Sequence, residues 1–127
     1  MQETICQAIR AKRLLIVHQQ KTTLAHPLKR LVEPYALYLT DSEALILDSR
    51  VVQGDYETTP PPHWCPIPVD EITSVIASDH AFPVHPVYRP NHPRYTRALC
   101  RVYPYEDWRV KHREETSPDI MLLQGVF

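Results

Sequence analysis

Apolar residues change period early in the chain. In TICQAIRAKRLLIV, Ile5, Ala8 and Ile9 fall at helical spacing, and Thr4 stands where a cap would stand. Arg10, Lys12 and Arg13 gather at the end of that stretch, where the helix dipole favours cations. Leu14 to Val17 is then an unbroken β-leaning run, so the pattern predicts a helix feeding a first strand. Leu28 to Val32 and Tyr35 to Leu39 read as two strands, with Glu33 and Pro34 between them as a bend or an edge. Asp41 and Ser42 supply turn chemistry before the apolar run Ala44 to Leu47.

The TTPPP stretch beyond that run is read as an extended, polyproline-like loop. Ile67 and Val69 alternate, Asp70 and Glu71 open a turn, and Ile72, Val75 and Ile76 fit a strand or a short helical turn equally well. The segment FPVHPVYRPNHP contains two PxxP patterns and is read as a stiff connection with Tyr88 packed down, rather than an exposed polyproline ligand. PRYTRALCRVY reads as a helix with Pro93 in its first turn and Pro104 as its stop, with a strand as the other reading. The apolar IMLLQGVF is read as a terminal strand or helix docking on the core. Short strands at this spacing predict a small antiparallel barrel or a strongly bent sheet.

Composition narrows the function more than the fold. A chain of 127 residues is expected to form a single domain, with enough buried surface for a core. The formal net charge of -1 gives no general basic excess of the kind that a phosphate-clad partner demands. With 13 prolines against 2 glycines, loops that cradle phosphate through glycine are excluded, and neither a GxGxxG nor a P-loop occurs. Cys6, Cys65 and Cys100 are odd in number and far apart, which suits a reducing cytoplasmic setting better than a disulfide scaffold. The opening residues do not read as a signal peptide, and no apolar run reaches the roughly 20 residues needed to cross a bilayer, so no membrane partner is expected.

His63, Cys65, His80, His85 and His92 raise the question of a metal, but their spacing is irregular and broken by prolines, so no metal and no cofactor is expected. His63 and Cys65 lie two apart and would share a strand face. A catalytic pair would also need an orienting acid and an oxyanion hole, and the motif offers neither, so no enzyme is expected.

The order of helix, strand, RLVEPY, hairpin and IPVDEITSVIASDHAF resembles the WYL domain, a module of bacterial transcription regulators. Arg30, Val32, Pro34 and Leu37 carry the likeness in the first half, and Ile67, Val69, Asp70, Ile72 and Phe82 in the second. The resemblance implies a mainly β fold: an N-terminal helix and a small Sm-like (Src-homology-3-type) five-stranded antiparallel β-barrel over 5–82. A proline-rich connection and a C-terminal extension over 83–127 would come after it. The family's Trp-Tyr-Leu triplet falls on Ala44, Leu45 and Ile46, and its usual basic positions fall on Pro68 and Glu71.

The resemblance further implies a non-enzymatic regulatory module that senses a nucleotide, a single-stranded nucleic acid or a small anionic ligand. Arg30 is the expected cationic grip, since a guanidinium holds a phosphate or carboxylate bidentately. Tyr35 would add a stacking or hydrogen-bonding face and Arg50 a second charge. The other reading is a protein-interaction or assembly module in which the ligand site is lost. Edge strands and proline segments would then engage a protein partner or, as a homodimer, a second copy.

Overall fold

The computed structural model describes residues 1–104; the charged DWRVKHREE stretch, the Glu114–Glu115 pair and IMLLQGVF lie outside the described residues. Helix α1 spans Gln2–Ala11 and buries Ile5, Ala8 and Ile9. It starts ahead of Thr4, with Met1 at the N-cap position, so Thr4 lies within the helix and does not cap it. Lys12 closes α1 in the left-handed conformation (φ 54°), and its N–H reaches the carbonyls of Ala8 and Ile9. That turn sends the chain directly into β1, Arg13–Gln19, where Leu15, Val17 and Gln19 alternate inward.

The two strands read on either side of Pro34 are one strand, β2, running Leu28–Leu39. Proline has no N–H to give a ladder, and the pairing with the next strand is irregular between Pro34 and Ala36. The bend divides the partners of β2. Its first half pairs with β1 (Leu28 to Val32), and its second half with β6, Ala98–Arg101, at Ala36 to Tyr38. Strand β3, Leu45–Gly54, runs along the whole opposite side of β2.

The β2–β3 turn carries Glu43 at φ 68°, and Arg97 holds its carboxylate with two hydrogen bonds of 2.8 and 2.7 Å. At the far end of β3, Gly54 has φ +113°, and a Cβ there would run into the Lys29 carbonyl oxygen, so glycine is needed. Strand β4, His63–Pro68, pairs with β3. A single 3₁₀ turn, Val69–Glu71, then leads into β5, Ile72–Ala81, which pairs with β1.

All pairings are antiparallel, in the order β4-β3-β2-β1-β5 with β6 attached to β2. Among the described residues no ladder joins β4 to β5, so the sheet is open. The protein is mainly β with one N-terminal helix. Its core lies between α1 and the sheet, where Leu15, Val17, Val32, Leu37, Leu47, Val51 and Ile67 are fully buried.

Two further expectations change. Residues 93–103 do not form a helix: a short 3₁₀ turn, Pro93–Tyr95, leads into β6. The bend at Pro34 leaves the second half of β2 without β1, and Ala98–Arg101 fills that edge. Spacing also gives no reason to pair Cys6 with Cys100, 94 residues apart, yet the structure joins them by a disulfide between α1 and β6. Cys65 remains a free thiol. Tyr88, as expected, packs down against the sheet with its hydroxyl on the Val102 carbonyl at 2.8 Å. No helix of the described residues is long and apolar enough to cross a membrane.

Candidate anion site at the end of the sheet

Arg30 stands on β2 with Val17 of β1 opposite it on one side and Gly54 of β3 on the other. Alternation along β2 turns it inward with Leu28 and Val32, and it is only 3% exposed. Its Nη1 donates to Cys65 Sγ at 3.3 Å. Its Nε is buried with no partner, and Nη2 makes no hydrogen bond to any described residue. Among the described residues no carboxylate lies within ion-pair distance of it. A charge buried in this way costs several kcal/mol unless something supplies the counter-charge.

Its neighbours are polar and only partly satisfied. Gln19 lies two residues beyond Val17 on the same face of β1, is 1% exposed, and donates to Glu71 Oε1 at 2.7 Å. Its own Oε1 has no partner. His63 shares the inward face of β4 with Cys65, and its Nδ1 is buried without a partner. Three strands thus bring unmatched donors and acceptors to one end of the sheet.

Above this end, Lys21 pairs with Glu57 at 2.5 Å and ties the loop after β1 to the loop after β3. Lys21 holds the Glu57 carboxyl below the ordinary range, and the charge of Arg30 adds a smaller pull. A cleft of about 830 Å³ lies between the loops, lined by 24–28 and 54–58. The unpaired Nε and Nη2 of Arg30 form a planar fork of two donors, which matches two oxygens of a carboxylate or phosphate.

Tyr35 and Arg50 are not part of this cluster. Arg50 is paired with Glu33 across β2–β3 while Val51 is paired with Val32, so Arg50 occupies the face opposite Arg30. Its Nη1 lies 3.6 Å from Glu33 Oε1. Tyr35 is fully buried, so it offers no stacking surface to a ligand. Its hydroxyl donates to Glu33 Oε1 at 2.8 Å and accepts from the His85 backbone N–H at 3.0 Å. The structure therefore joins Tyr35 and Arg50 through Glu33, a residue the sequence pattern places only at the bend beside Pro34. Arg30 pairs with neither Glu33 nor Asp70. The signal for its environment was available only in register: Arg30 and Val32 share a face, and Val32 is core.

Burial pushes the hydroxyls of Tyr35, Tyr88 and Tyr95 up, well above the ordinary tyrosine range, and the Asp48 carboxylate beside Tyr95 adds to the effect there. Tyrosines of the unfolded chain ionise near pH 10. A raised folded value means that this contribution to stability is complete below about pH 10 and is lost as pH climbs beyond it. Thermal melts followed by circular dichroism are expected to show Tm falling between roughly pH 9.5 and 11. A flat Tm across that window would contradict the burial of these hydroxyls.

No three His, Cys, Asp or Glu side chains of the described residues converge as a metal-ligating group. No family model, no curated protein and no solved structure matches the chain.

Proposed function

We propose that the chain is a non-enzymatic ligand-sensing regulatory module of the kind the WYL resemblance implies, with a small oxyanion as its ligand. In this reading α1 and β1 to β5 are a divergent Sm-like barrel left open between β4 and β5. The order β4-β3-β2-β1-β5 and the 3₁₀ turn between β4 and β5 support it. The observation that carries the ligand is Arg30, a buried guanidinium whose Nε has no hydrogen-bond partner and which has no carboxylate partner among the described residues. The shared chemistry is that of a carboxylate or a phosphate group, free or on a nucleotide.

Titration with phosphate and with acetate tests the reading. Tm is expected to rise saturably, with stabilisation of about 2.7 kcal/mol at roughly 100 times Kd. Cys65, the one cysteine outside the disulfide, touches the guanidinium, so its alkylation rate should change over the same concentrations. Arg30→Met should fold, because an apolar side chain of similar volume avoids the burial of an unpaired charge, and should lose both responses. Equal responses in Arg30→Met and the parent protein, or a response to chloride as large as to phosphate, would sink the reading.

One observation favours the assembly alternative. Ile76, on the edge strand β5, is 52% exposed. Light scattering across a hundredfold range of concentration separates the two: a mass that doubles supports assembly.

A further inference from the structure

The stretch of chain over which the WYL resemblance holds ends at Phe82, and the segment beyond it builds a second concave surface. Residues 83–97 cross the outer face of β3 and β4. Tyr88 anchors them, with its ring 4.7 Å from that of Tyr35 and its hydroxyl on the Val102 carbonyl. Tyr95, 5% exposed, anchors them again: its hydroxyl donates to Asp48 Oδ2 at 2.6 Å. Arg94 donates to the same oxygen at 3.2 Å and meets the His92 ring through its Nε. Between this segment and the sheet lies a pocket of about 270 Å³.

Its walls are aromatic and its polar groups few. Trp64 stays 39% exposed at one side, a large ring left uncovered, while Tyr88 and Tyr95 form the other walls. Asp48 lines the pocket, and the whole residue is only 4% exposed. Both of its side-chain bonds fall on Oδ2, so Oδ1 accepts none among the described residues. At the rim, Arg89 is exposed and makes no ion pair among the described residues. The volume falls just below the usual range of ligand pockets, roughly 300–1,000 Å³, which suits one ring system.

We propose that this pocket is a separate binding site for an amino-bearing nucleobase, the base of a nucleoside monophosphate. Each part of such a ligand has a counterpart here. The ring stacks against Trp64, and stacking of a base on an aromatic side chain is worth about 1–3 kcal/mol. The exocyclic amino group donates to Asp48 Oδ1, a charged acceptor in a site shielded from water. The phosphate reaches the Arg89 guanidinium at the rim. A base with a carbonyl in place of the amino group would set an oxygen against the carboxylate, and the ring N–H it gains is flanked by that same carbonyl.

The test compares nucleotides that differ only at that group: AMP with IMP, and CMP with UMP. Dissociation constants are read by calorimetry at low salt on the intact protein. The amino-bearing member of each pair is expected to bind about ten- to a hundredfold tighter, the range for a hydrogen bond to a charged group. Trp64→Ala should weaken all four nucleotides by a similar factor. Asp48→Asn should bring each ratio toward one; because Asp48 also anchors the segment, the paired ratios in the parent protein decide the matter by themselves. A short single strand of the preferred base that binds tighter than its mononucleotide would assign the base to a strand, and the reverse order to a free nucleotide.

Equal affinities within both pairs, or no binding of any nucleotide, would overturn the proposal. The outcome stands apart from that of the anion site: phosphate binding there depends on Arg30 and is untouched by Trp64→Ala.

Discussion

Reduction of the Cys6–Cys100 bond, or its removal by Cys6→Ser with Cys100→Ser, is expected to destabilise the protein by about 3–5 kcal/mol. The bond spans 94 residues and so closes almost the entire described chain into one loop. A loop of about 100 residues is worth roughly 4.7 kcal/mol in the chain-entropy account, the upper part of the usual range. Neither of the elements it joins is long enough to be stable by itself. Helix α1 has ten residues, too few to be stable alone, and β6 has four residues, paired among the described residues only with β2. For a domain with about 5–15 kcal/mol in total, such a loss removes a large share. It should appear as a fall in Tm on the order of 10–20 °C. Melts with and without reductant measure it, and Cys65→Ser serves as the control that reductant alone should still destabilise. A Tm that reductant moves by less than about 2 °C would refute the expectation.

That bond also shows where the sequence stops being legible. The helical spacing of Ile5, Ala8 and Ile9, the inward alternation of β1 and the hairpin around Asp41 and Ser42 are local patterns, and the structure has each of them. The pairing of Cys6 with Cys100 depends on β6 reaching the far half of β2, which no local spacing encodes. The same holds for Ala98–Arg101, which fits helix and strand about equally until the bend at Pro34 leaves an edge to be filled. Pro34 itself reads as a break, yet β2 continues through it because the irregular pairing after Pro34 absorbs the missing donor.

The sites divide in the same way. A cation at Arg30 is visible in the letters, but its burial comes from its register with Val32. The second pocket is invisible, since 83–97 has no periodicity and only the packing of Tyr88 and Tyr95 gives it a place.

Tyr35→Ala is expected to cost about 3–5 kcal/mol, the range for removing a large aromatic side chain from a core. The residue stands at a junction of the fold. It sits just after the bend at Pro34, and its carbonyl accepts the Val102 N–H at 2.8 Å. Its ring lies 5.0, 5.4 and 4.7 Å from those of Trp64, Phe82 and Tyr88. Those three come from β4, the end of β5 and the segment over the second pocket, so one side chain ties three parts of the fold together. Tyr35→Phe separates the ring from the hydroxyl. It keeps the stacking but leaves the buried Glu33 carboxylate and the His85 N–H each short of a partner, a loss of about 1–3 kcal/mol. Urea unfolding of the parent protein and both variants should therefore give two steps, with the larger belonging to the ring. If Tyr35→Phe cost as much as Tyr35→Ala, the hydroxyl network through Glu33 and Arg50, and not the aromatic packing, would be what holds the 83–97 segment against the sheet. The nucleobase pocket would then depend on a charge pair on the outer face, and its affinity should fall with salt faster than one phosphate contact explains.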